Sequence, residues 1–344
     1  MIITFRWYGN SDSIKLGDIR QIPVVKGIVS ALYDIPVGDV WPLEKLLSLR
    51  NETEANGLKL TVIESIPVHE DIKLGRASAA KLTENYCESI RNMGRAGIPT
   101  LCYNFMPVFD WTRSNMALKL EDGSNALGYD NLDVLSTDLS DGTKDLPGWS
   151  ASYSSKELKS LLDAYKELSP AGLWENFAAF IRKTAPVAEE FGIKMGIHPD
   201  DPPWPIFGLP RIITDETALD RLIHIYDSPS NGLTLCTGSL GASRGNDVVK
   251  LVDKYAQMGR ITFAHVRNIK ITGDGQFNET AHNTESGSLD ILGIMKALKK
   301  AGFSGPLRPD HGRMIWGESG KPGYGLYDRA LGAMYLAGLW EGLE

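Results

Sequence analysis

The amino-acid sequence predicts an α/β protein, a closed (β/α)8 barrel, and two observations carry that prediction. Eight short apolar runs recur along the chain, at 2–7, 26–32, 58–65, 99–105, 194–199, 232–238, 261–268 and 305–310. They are nearly continuously apolar, as expected for parallel strands that are covered on both faces. Segments with helical periodicity lie between them, and strands that alternate with helices favour a parallel barrel.

Two of these segments show the helical pattern clearly. One has apolar residues at helical spacing and ends at Gly97: Leu82, Tyr86, Ile90 and Met93. The other begins at Ser288 as the expected N-cap, ends at Gly302 and places four residues on one side: Ile291, Leu292, Met295 and Leu298. A doubly wound open sheet is the alternative fold. However, the chain has no G-x-G-x-x-G after its first strand and no G-x-x-x-x-G-K-[ST] motif.

We expect one barrel domain over residues 1–344, with long insertions on the face formed by the carboxyl ends of the strands. The larger insertion covers about 105–154 and contains Trp111, Arg113, Asp122-Gly123, Asp141-Gly142 and Pro147-Gly148-Trp149. The second covers 198–210. Long ordered loops in a compact domain tend to be functional, so each is predicted to form a lid, a pocket wall or a subunit contact.

Composition excludes several classes of partner. The chain has 344 residues, 42% of them hydrophobic, and a net charge of −7, which gives no electrostatic reason to bind nucleic acid or an anionic membrane. Three widely spaced cysteines fit a reducing cytoplasm better than a disulfide scaffold. Since no stretch is long enough to span a bilayer, we predict a soluble cytoplasmic protein.

Ligand-type side chains stand at the ends of the last four predicted strands, in the order His198, Cys236, His265 and Asp310. In a parallel barrel the carboxyl ends of all strands meet on one face, so these residues are expected to converge there. Imidazole, thiolate and carboxylate together suit a divalent transition metal, and the cysteine argues against a magnesium or calcium site. Taken singly, each residue could instead be an ordinary buried core residue.

Other residues near these strand ends are candidates for proton transfer and substrate binding. His311 directly follows Asp310, and Tyr324 lies between two glycines after the last strand. His224 lies on a predicted helix and is expected to be structural, whereas His69 and His282 lie in loops at the catalytic end. Arginines near strand ends could bind a carboxylate with two parallel hydrogen bonds, or could be solvated surface residues: Arg6, Arg267, Arg308 and Arg313.

At these positions the chain resembles mannonate dehydratases, a family of the xylose-isomerase-like barrel superfamily. The similarity runs from end to end. It includes Phe5-Arg6-Trp7-Tyr8-Gly9 and Asp34-Ile-Pro-Val-Gly38, together with the motifs at 64–71, 103–113, 197–205, 236–241, 265–268, 287–290 and 308–316.

The resemblance implies dehydration of D-mannonate, a small sugar acid, to 2-keto-3-deoxy-D-gluconate with Mn²⁺ or Fe²⁺. It implies metal ligands at His198, Cys236, His265 and Asp310, catalytic roles for His311 and Tyr324, and a homodimer. We expect a catalytic role for Asp310 as well. We expect substrate contacts from residues around the same strand ends: Arg6, Trp7, His69, Arg267, Asn268, Arg308, Arg313 and Trp316.

Two alternative functions are compatible with the same residues. One is a metal-dependent sugar isomerase or epimerase, because proton abstraction next to a carbonyl would use the same barrel and metal. The other is a sugar-acid-binding or scaffold protein in which the four ligands hold a closed structural zinc ion.

Overall fold

A computed structural model of the protein describes residues 1–137 and 153–343. Within these residues the chain forms twelve strands: β1 Ile2–Arg6, β2 Gly27–Ser30, β3 Lys59–Glu64, β4 Thr100–Tyr103, β5 Asn115–Lys119, β6 Asn125–Asp130, β7 Lys194–Ile197, β8 Asn231–Cys236, β9 Ile261–Val266, β10 Ile269–Gly273, β11 Gln276–Glu279 and β12 Pro306–Pro309.

Eight of these strands close into a parallel barrel in the ring order β1-β2-β3-β4-β7-β8-β9-β12. They correspond one to one to the eight predicted apolar runs, so the predicted barrel is confirmed and the open sheet is excluded. The register places Cys236 of β8 opposite His265 of β9, and His265 opposite Arg308 of β12.

The strands are apolar because both of their faces are covered. Every residue of β8 and of β9 is buried. Inside the ring, Val29, Val62, Cys102 and Phe263 form a small cluster of their own. Because β9 is far from β2 and β3 around the ring, these side chains can meet only in the barrel interior, which is a packed core rather than a pore.

Twelve α-helices lie within the described residues: α1 Leu16–Arg20, α2 Leu43–Ala55, α3 Glu70–Lys73, α4 Ala79–Arg95, α5 Asn131–Ser136, α6 Ser155–Lys166, α7 Pro170–Glu190, α8 Glu216–Ile225, α9 Thr237–Gly241, α10 Val248–Gln257, α11 Ile291–Lys300 and α12 Tyr327–Gly342. In α4 the predicted apolar face is confirmed, since Tyr86, Ile90 and Met93 are buried. This helix ends before Gly97, whose φ of +70° suits glycine.

The structure corrects the predicted N-cap and the predicted apolar face of helix α11. Its N-cap is Asp290, not Ser288, because the Asp290 carboxylate accepts a hydrogen bond from Gly293 N at 2.8 Å. Leu292 is 37% exposed and does not share the buried face of Ile291, Met295 and Leu298. With the helix beginning at Ile291, Leu292 follows one residue later, about 100° around the helix axis.

The insertion at 105–154 is more structured than the loop predicted. It contributes β5, β6 and α5, and it joins β10 and β11 in an antiparallel sheet of order β10-β11-β6-β5. Phe277 of β11 pairs with Tyr129 of β6, and their rings stack with centroids 5.2 Å apart. The Asp141-Gly142 and Pro147-Gly148-Trp149 motifs lie outside the described residues.

In the part of the chain described here, no helix has both the length and the apolar character needed to cross a membrane. Cys87, Cys102 and Cys236 are all buried free thiols.

Candidate active site at the carboxyl ends of the barrel strands

A cavity of about 430 Å³ opens at the carboxyl ends of the barrel strands. Six of the candidate metal-binding, catalytic and substrate-binding residues contribute to its wall: Arg6, His198, Arg308, Asp310, His311 and Tyr324. The remaining lining residues are Tyr8, Tyr33, Glu64, Ser65, Cys102, Tyr103, Asn104, Met106, Asp110, Trp111, Met116, Asp201, Lys321 and Pro322.

Three of the predicted metal ligands meet beside this cavity. Each of His198, Cys236 and His265 offers one ligand atom, and these atoms lie within 4.8 Å of one another. Cys236 and His265 are fully buried, while His198 lines the cavity. His198 follows β7, Cys236 ends β8 and His265 is the next-to-last residue of β9, so the carboxyl ends of three neighbouring strands bring together positions far apart in sequence.

The surroundings of Cys236 favour its thiolate form. Burial alone would raise the pKa of this thiol, but the charges of Arg267 and His198 lower it well below its usual value. Conversely, although burial acts to lower the pKa of His198, the charge of Cys236 and a hydrogen bond to it raise that pKa to about 9. A thiolate is the form of cysteine that binds metals.

Asp310, the fourth predicted ligand, lies beside this group. Its Oδ2 is 3.5 Å from Cys236 Sγ and 3.8 Å from His265 Nδ1. Two arginines also hold the carboxylate: Arg308 Nη1 lies 2.7 Å from Oδ1 and Arg267 Nε lies 2.9 Å from Oδ2. Burial would raise the pKa of Asp310, yet Arg308, the neighbouring histidines and Arg267 lower it well below 3.8.

A second group of ligand-type atoms lies close by but is less suited to a cation. Glu64, Cys102 and His265 also lie within 4.8 Å of one another. However, Arg308 Nη2 donates to Glu64 Oε1 at 2.9 Å, and burial raises the pKa of Cys102 well above 9, which keeps the thiol protonated. The first group is therefore the better metal site.

His311 and Tyr324 form a hydrogen-bonded pair at the edge of the cavity. Tyr324 Oη lies 2.7 Å from His311 Nε2. Trp111 covers the pair, with its ring centroid 4.7 Å from that of His311 and 6.4 Å from that of Tyr324. Burial, followed by the charges of Tyr8 and Asp310, raises the pKa of Tyr324 well above 10, so its hydroxyl remains protonated.

A buried carboxylate that the sequence reasoning missed lies behind His311. Glu279 Oε1 is 3.4 Å from His311 Nδ1 and also accepts a hydrogen bond from Arg113 Nη2 at 2.8 Å. Arg267 contacts the same carboxylate, and Arg113 and Arg267 both bind Asp201. Glu279 stands at the end of β11, in the second sheet, so no strand-end pattern of the barrel could have identified it.

Cations gather on one side of the cavity, where β1 and β12 are neighbours. Arg308 and Arg6 lie 2.9 and 3.9 Å from Glu64, and Arg6 Nη1 is buried without a hydrogen-bond partner among the described residues. Lys321 Nζ lies 3.8 Å from the centroid of the Tyr8 ring. Glu64 ends β3, so its place at a strand end was the signal available in the sequence.

Six of the residues expected to contact substrate do not line the cavity. Arg267 is fully buried among acidic groups, Arg313 pairs with Asp122 and Asp328, and Asn268 binds backbone groups at 283 and 289. Trp7 is 2% exposed within the core, whereas Trp316 is 75% exposed. His69 caps α3 by accepting a hydrogen bond from Asp71 N and lines a separate small cavity.

The two remaining histidines also lie away from the cavity lining. His282 is buried and packs against α12, where a Cβ on Gly332 would come within 2.6 Å of its Nδ1. His224 is on α8, as predicted, with its Nδ1 2.6 Å from the Asp220 carbonyl oxygen.

The barrel, the cavity at its carboxyl rim and the ligand group beside a His–Tyr pair together define an enzyme of the (β/α)8 class. Solved structures with the same fold include D-psicose 3-epimerase from Clostridium cellulolyticum H10, with a TM-score of 0.59 and 10% identity over 99% of this chain and 98% of that one. Similarity at this level of identity concerns the fold alone.

Sequence similarity narrows this class to a family. A model of the D-mannonate dehydratase (UxuA) family matches residues 1–344. Mannonate dehydratase 2 of Halalkalibacterium halodurans is 56% identical over 344 residues, the whole of both chains. Mannonate dehydratase of Streptococcus agalactiae serotype III is 53% identical over 342 residues, covering 99% of this chain and 98% of that one.

A solved structure agrees with this assignment. Mannonate dehydratase from Streptococcus suis serotype 2 superposes with a TM-score of 0.93 at 49% identity, covering 99% of this chain and 94% of that one. The chain belongs to the D-mannonate dehydratase family, whose members are hydro-lyases. The predicted family is confirmed, and the isomerase or epimerase alternative is not favoured.

Proposed function

We propose that this enzyme dehydrates D-mannonate to 2-keto-3-deoxy-D-gluconate, with a divalent metal ion bound by His198, Cys236 and His265 and with Asp310 beside it as a further ligand. The observation that carries the proposal is the position of these ligand atoms, within 4.8 Å of one another and next to the His311–Tyr324 pair. His265 is fully buried, and its Nε2, 3.4 Å from Glu64 Oε2, makes no hydrogen bond in the described part of the chain, which suits a metal-binding imidazole.

The donor set favours Mn²⁺ or Fe²⁺ over Mg²⁺ or Ca²⁺. Two imidazoles and a thiolate suit transition metals, whereas the hard cations prefer oxygen ligands only. When bound, the ion would stabilise the negative charge that develops on the substrate carboxylate as the C2 proton leaves.

The hydrogen bonds of His311 support a specific division of roles. A carboxylate only accepts hydrogen bonds, so Glu279 favours the tautomer of His311 that carries its proton on Nδ1. Nε2 is then left with a lone pair, and Tyr324 donates its hydroxyl proton to it. His311 is accordingly the base that removes the C2 proton, and Tyr324 is the acid that protonates the C3 oxygen.

These roles account for every proton in the reaction. His311 Nε2 takes the proton from C2, the C2–C3 double bond forms, and the C3 oxygen leaves as water with the proton of Tyr324. The proton on His311 then passes to the Tyr324 oxygen across their hydrogen bond, which restores the pair. The enol product tautomerises to the 2-keto acid.

The geometry argues against a closed structural zinc site. A structural zinc ion fills all four positions with protein ligands, whereas a catalytic ion keeps a position open to substrate. His198 lines the cavity, so the ligand group faces the space in which a substrate would bind.

Removal and restoration of the metal test this function. Metal-stripped protein should keep its circular dichroism spectrum but release no 2-keto acid from D-mannonate, and Mn²⁺ or Fe²⁺ should restore turnover where Mg²⁺ does not. Full activity after stripping, or no conversion of D-mannonate by the Mn²⁺-loaded or Fe²⁺-loaded enzyme, would contradict the proposal. Unfolding on removal of the metal would instead favour a structural zinc protein.

A cytoplasmic homodimer remains part of the proposal. The rings of Trp316 and Tyr327 lie in contact with centroids 5.7 Å apart, and together with Leu331 and Met334 they present an exposed apolar surface that a second subunit could cover. Sedimentation analysis of the native protein would distinguish a dimer from a monomer.

A further inference from the structure

Asn104 and Asp110 form a polar wall of the cavity and take no part in the proposed proton transfers. Both residues follow β4 and line the cavity, and Asp110 Oδ1 accepts a hydrogen bond from Asn104 Nδ2 at 3.1 Å. Asn104 Oδ1 in turn accepts from Met106 N at 3.3 Å. The pair therefore presents a carboxylate and an amide, groups that bind hydroxyls.

This wall lies across the barrel mouth from the cations. In the ring of eight strands, β4 is four strands from β12 in either direction, which is diametrically opposite. Arg308 is on β12, and Arg6 is on the neighbouring β1. Arg6, whose Nη1 has no hydrogen-bond partner among the described residues, is thus placed to bind an anion on one side of the cavity, while the other side offers the Asp110 carboxyl.

A buried network holds this wall in place. Lys73 Nζ lies 2.6 Å from Glu70 Oε1 and donates to the Met106 carbonyl oxygen at 2.7 Å. Tyr165 donates to Glu70 Oε2 at 2.5 Å, and Arg211 donates to the Asp110 carbonyl oxygen at 3.3 Å. A binding group fixed in this way loses little conformational entropy when a ligand binds.

The two sides of the cavity fix the direction of a sugar acid. His311 and Tyr324 follow β12, on the cationic side, and they must reach C2 and C3, which are next to the C1 carboxylate. The carboxylate therefore belongs on the side of Arg6 and Arg308, and the rest of the chain extends toward β4. We infer that Asn104 and Asp110 bind the hydroxyls on C5 and C6 and so select six-carbon sugar acids over shorter ones, an inference that rests on the proposed function.

Comparison of a long and a short substrate tests this inference. L-Erythronate has the configuration of D-mannonate at C2 and C3 but lacks C5 and C6. The Mn²⁺-loaded enzyme is assayed with both acids, and kcat/KM is measured for each. If an acid is not turned over, its inhibition constant against D-mannonate is measured instead. Asp110→Ala should lower kcat/KM for D-mannonate at least about tenfold, the usual effect of losing a hydrogen bond to a charged group, and Asn104→Ala should lower it about three- to tenfold, as for a neutral one. Both variants should leave the value for L-erythronate within about threefold.

The ratio of the two kcat/KM values keeps the test valid if a variant folds poorly, because it does not depend on the fraction of active enzyme. Where L-erythronate only inhibits, its inhibition constant is compared with KM for D-mannonate, and neither of these depends on that fraction. Asp110→Asn provides a variant of nearly equal volume, and Asp163→Asn, on the exposed face of α6, is the matched control that should change neither value. Parallel losses on both acids, or no loss on D-mannonate, would overturn the inference while leaving the proposed function intact. A wild-type enzyme that does not convert D-mannonate would overturn both.

Discussion

The Oη atom of Tyr324 and the Nε2 atom of His311 lie 2.7 Å apart. The two residues are 13 positions apart in sequence, and the glycine-flanked loop after β12 brings Tyr324 back against the histidine. The contact gives each group a partner that can return its proton after the reaction. Catalysis by the pair should therefore depend on both members.

We expect His311→Asn and Tyr324→Phe each to lower kcat for D-mannonate by about 10²–10⁴, the usual contribution of one general acid or base. Because neither side chain is among the three clustered ligands, the bound metal should remain, as measured by elemental analysis of the purified variants. Tyr226→Phe, at the end of α8, should keep normal activity. An active His311→Asn would remove this residue from the proposed pair.

Cys236→Ala should lose both bound metal and turnover, because it removes the thiolate from the ligand group. The matched variant is Cys87→Ala, since Cys87 is also a buried free thiol but lies on α4. Metal content and activity should be normal in that variant. Equal metal occupancy in the two purified proteins would argue against Cys236 as a ligand.

Glu279 should make stability depend on pH in the acid range. Burial would raise the pKa of this carboxyl, but Arg267, a hydrogen bond to His311 and Arg113 lower it to about 2 from an ordinary value of 4.5. The folded pKa lies below the unfolded one, so the stabilisation is complete above pH 4.5 and is lost as the pH falls towards 2. The difference corresponds to roughly 3 kcal/mol.

Urea unfolding at several pH values measures this effect. The free energy of unfolding of Glu279→Gln should decline less between pH 4.5 and 2 than that of the wild type. Glu175→Gln, at an exposed position of α7, should follow the wild-type curve. Identical slopes for wild type and Glu279→Gln would show that the ion pairs do not perturb this carboxyl.

Gly238→Ala should disturb the site through Arg267. A Cβ at position 238 would lie 2.5 Å from Cζ of Arg267, which is fully buried against Asp310, Glu279 and Asp201. We expect a loss of stability of about 1–3 kcal/mol, typical of overpacking, together with weaker metal binding. Gly245→Ala is the control, because its Cβ would meet only Ser243 Oγ, at 3.6 Å. A normal melting temperature for Gly238→Ala would show that Arg267 can move without cost.

The sequence by itself determined the barrel and the convergence of three candidate metal ligands at its carboxyl rim. Burial on both faces leaves a local apolar pattern in each parallel strand, so all eight strands could be recognised. Because a parallel barrel gathers the carboxyl ends of its strands on one face, His198, Cys236 and His265 could be brought together before any coordinates were known.

Only the tertiary structure decided what surrounds that rim. Glu279 reaches His311 because β11 pairs with β6, more than 140 positions earlier in the chain, and no local pattern records such a pairing. The sequence also did not show which tryptophans are exposed to solvent. Trp316 and Trp7 were both expected to contact substrate, yet Trp316 is 75% exposed and Trp7 is 2% exposed. Local periodicity reports which face of an element is buried, whereas the partner of a buried charge depends on contacts between elements that are distant in the chain.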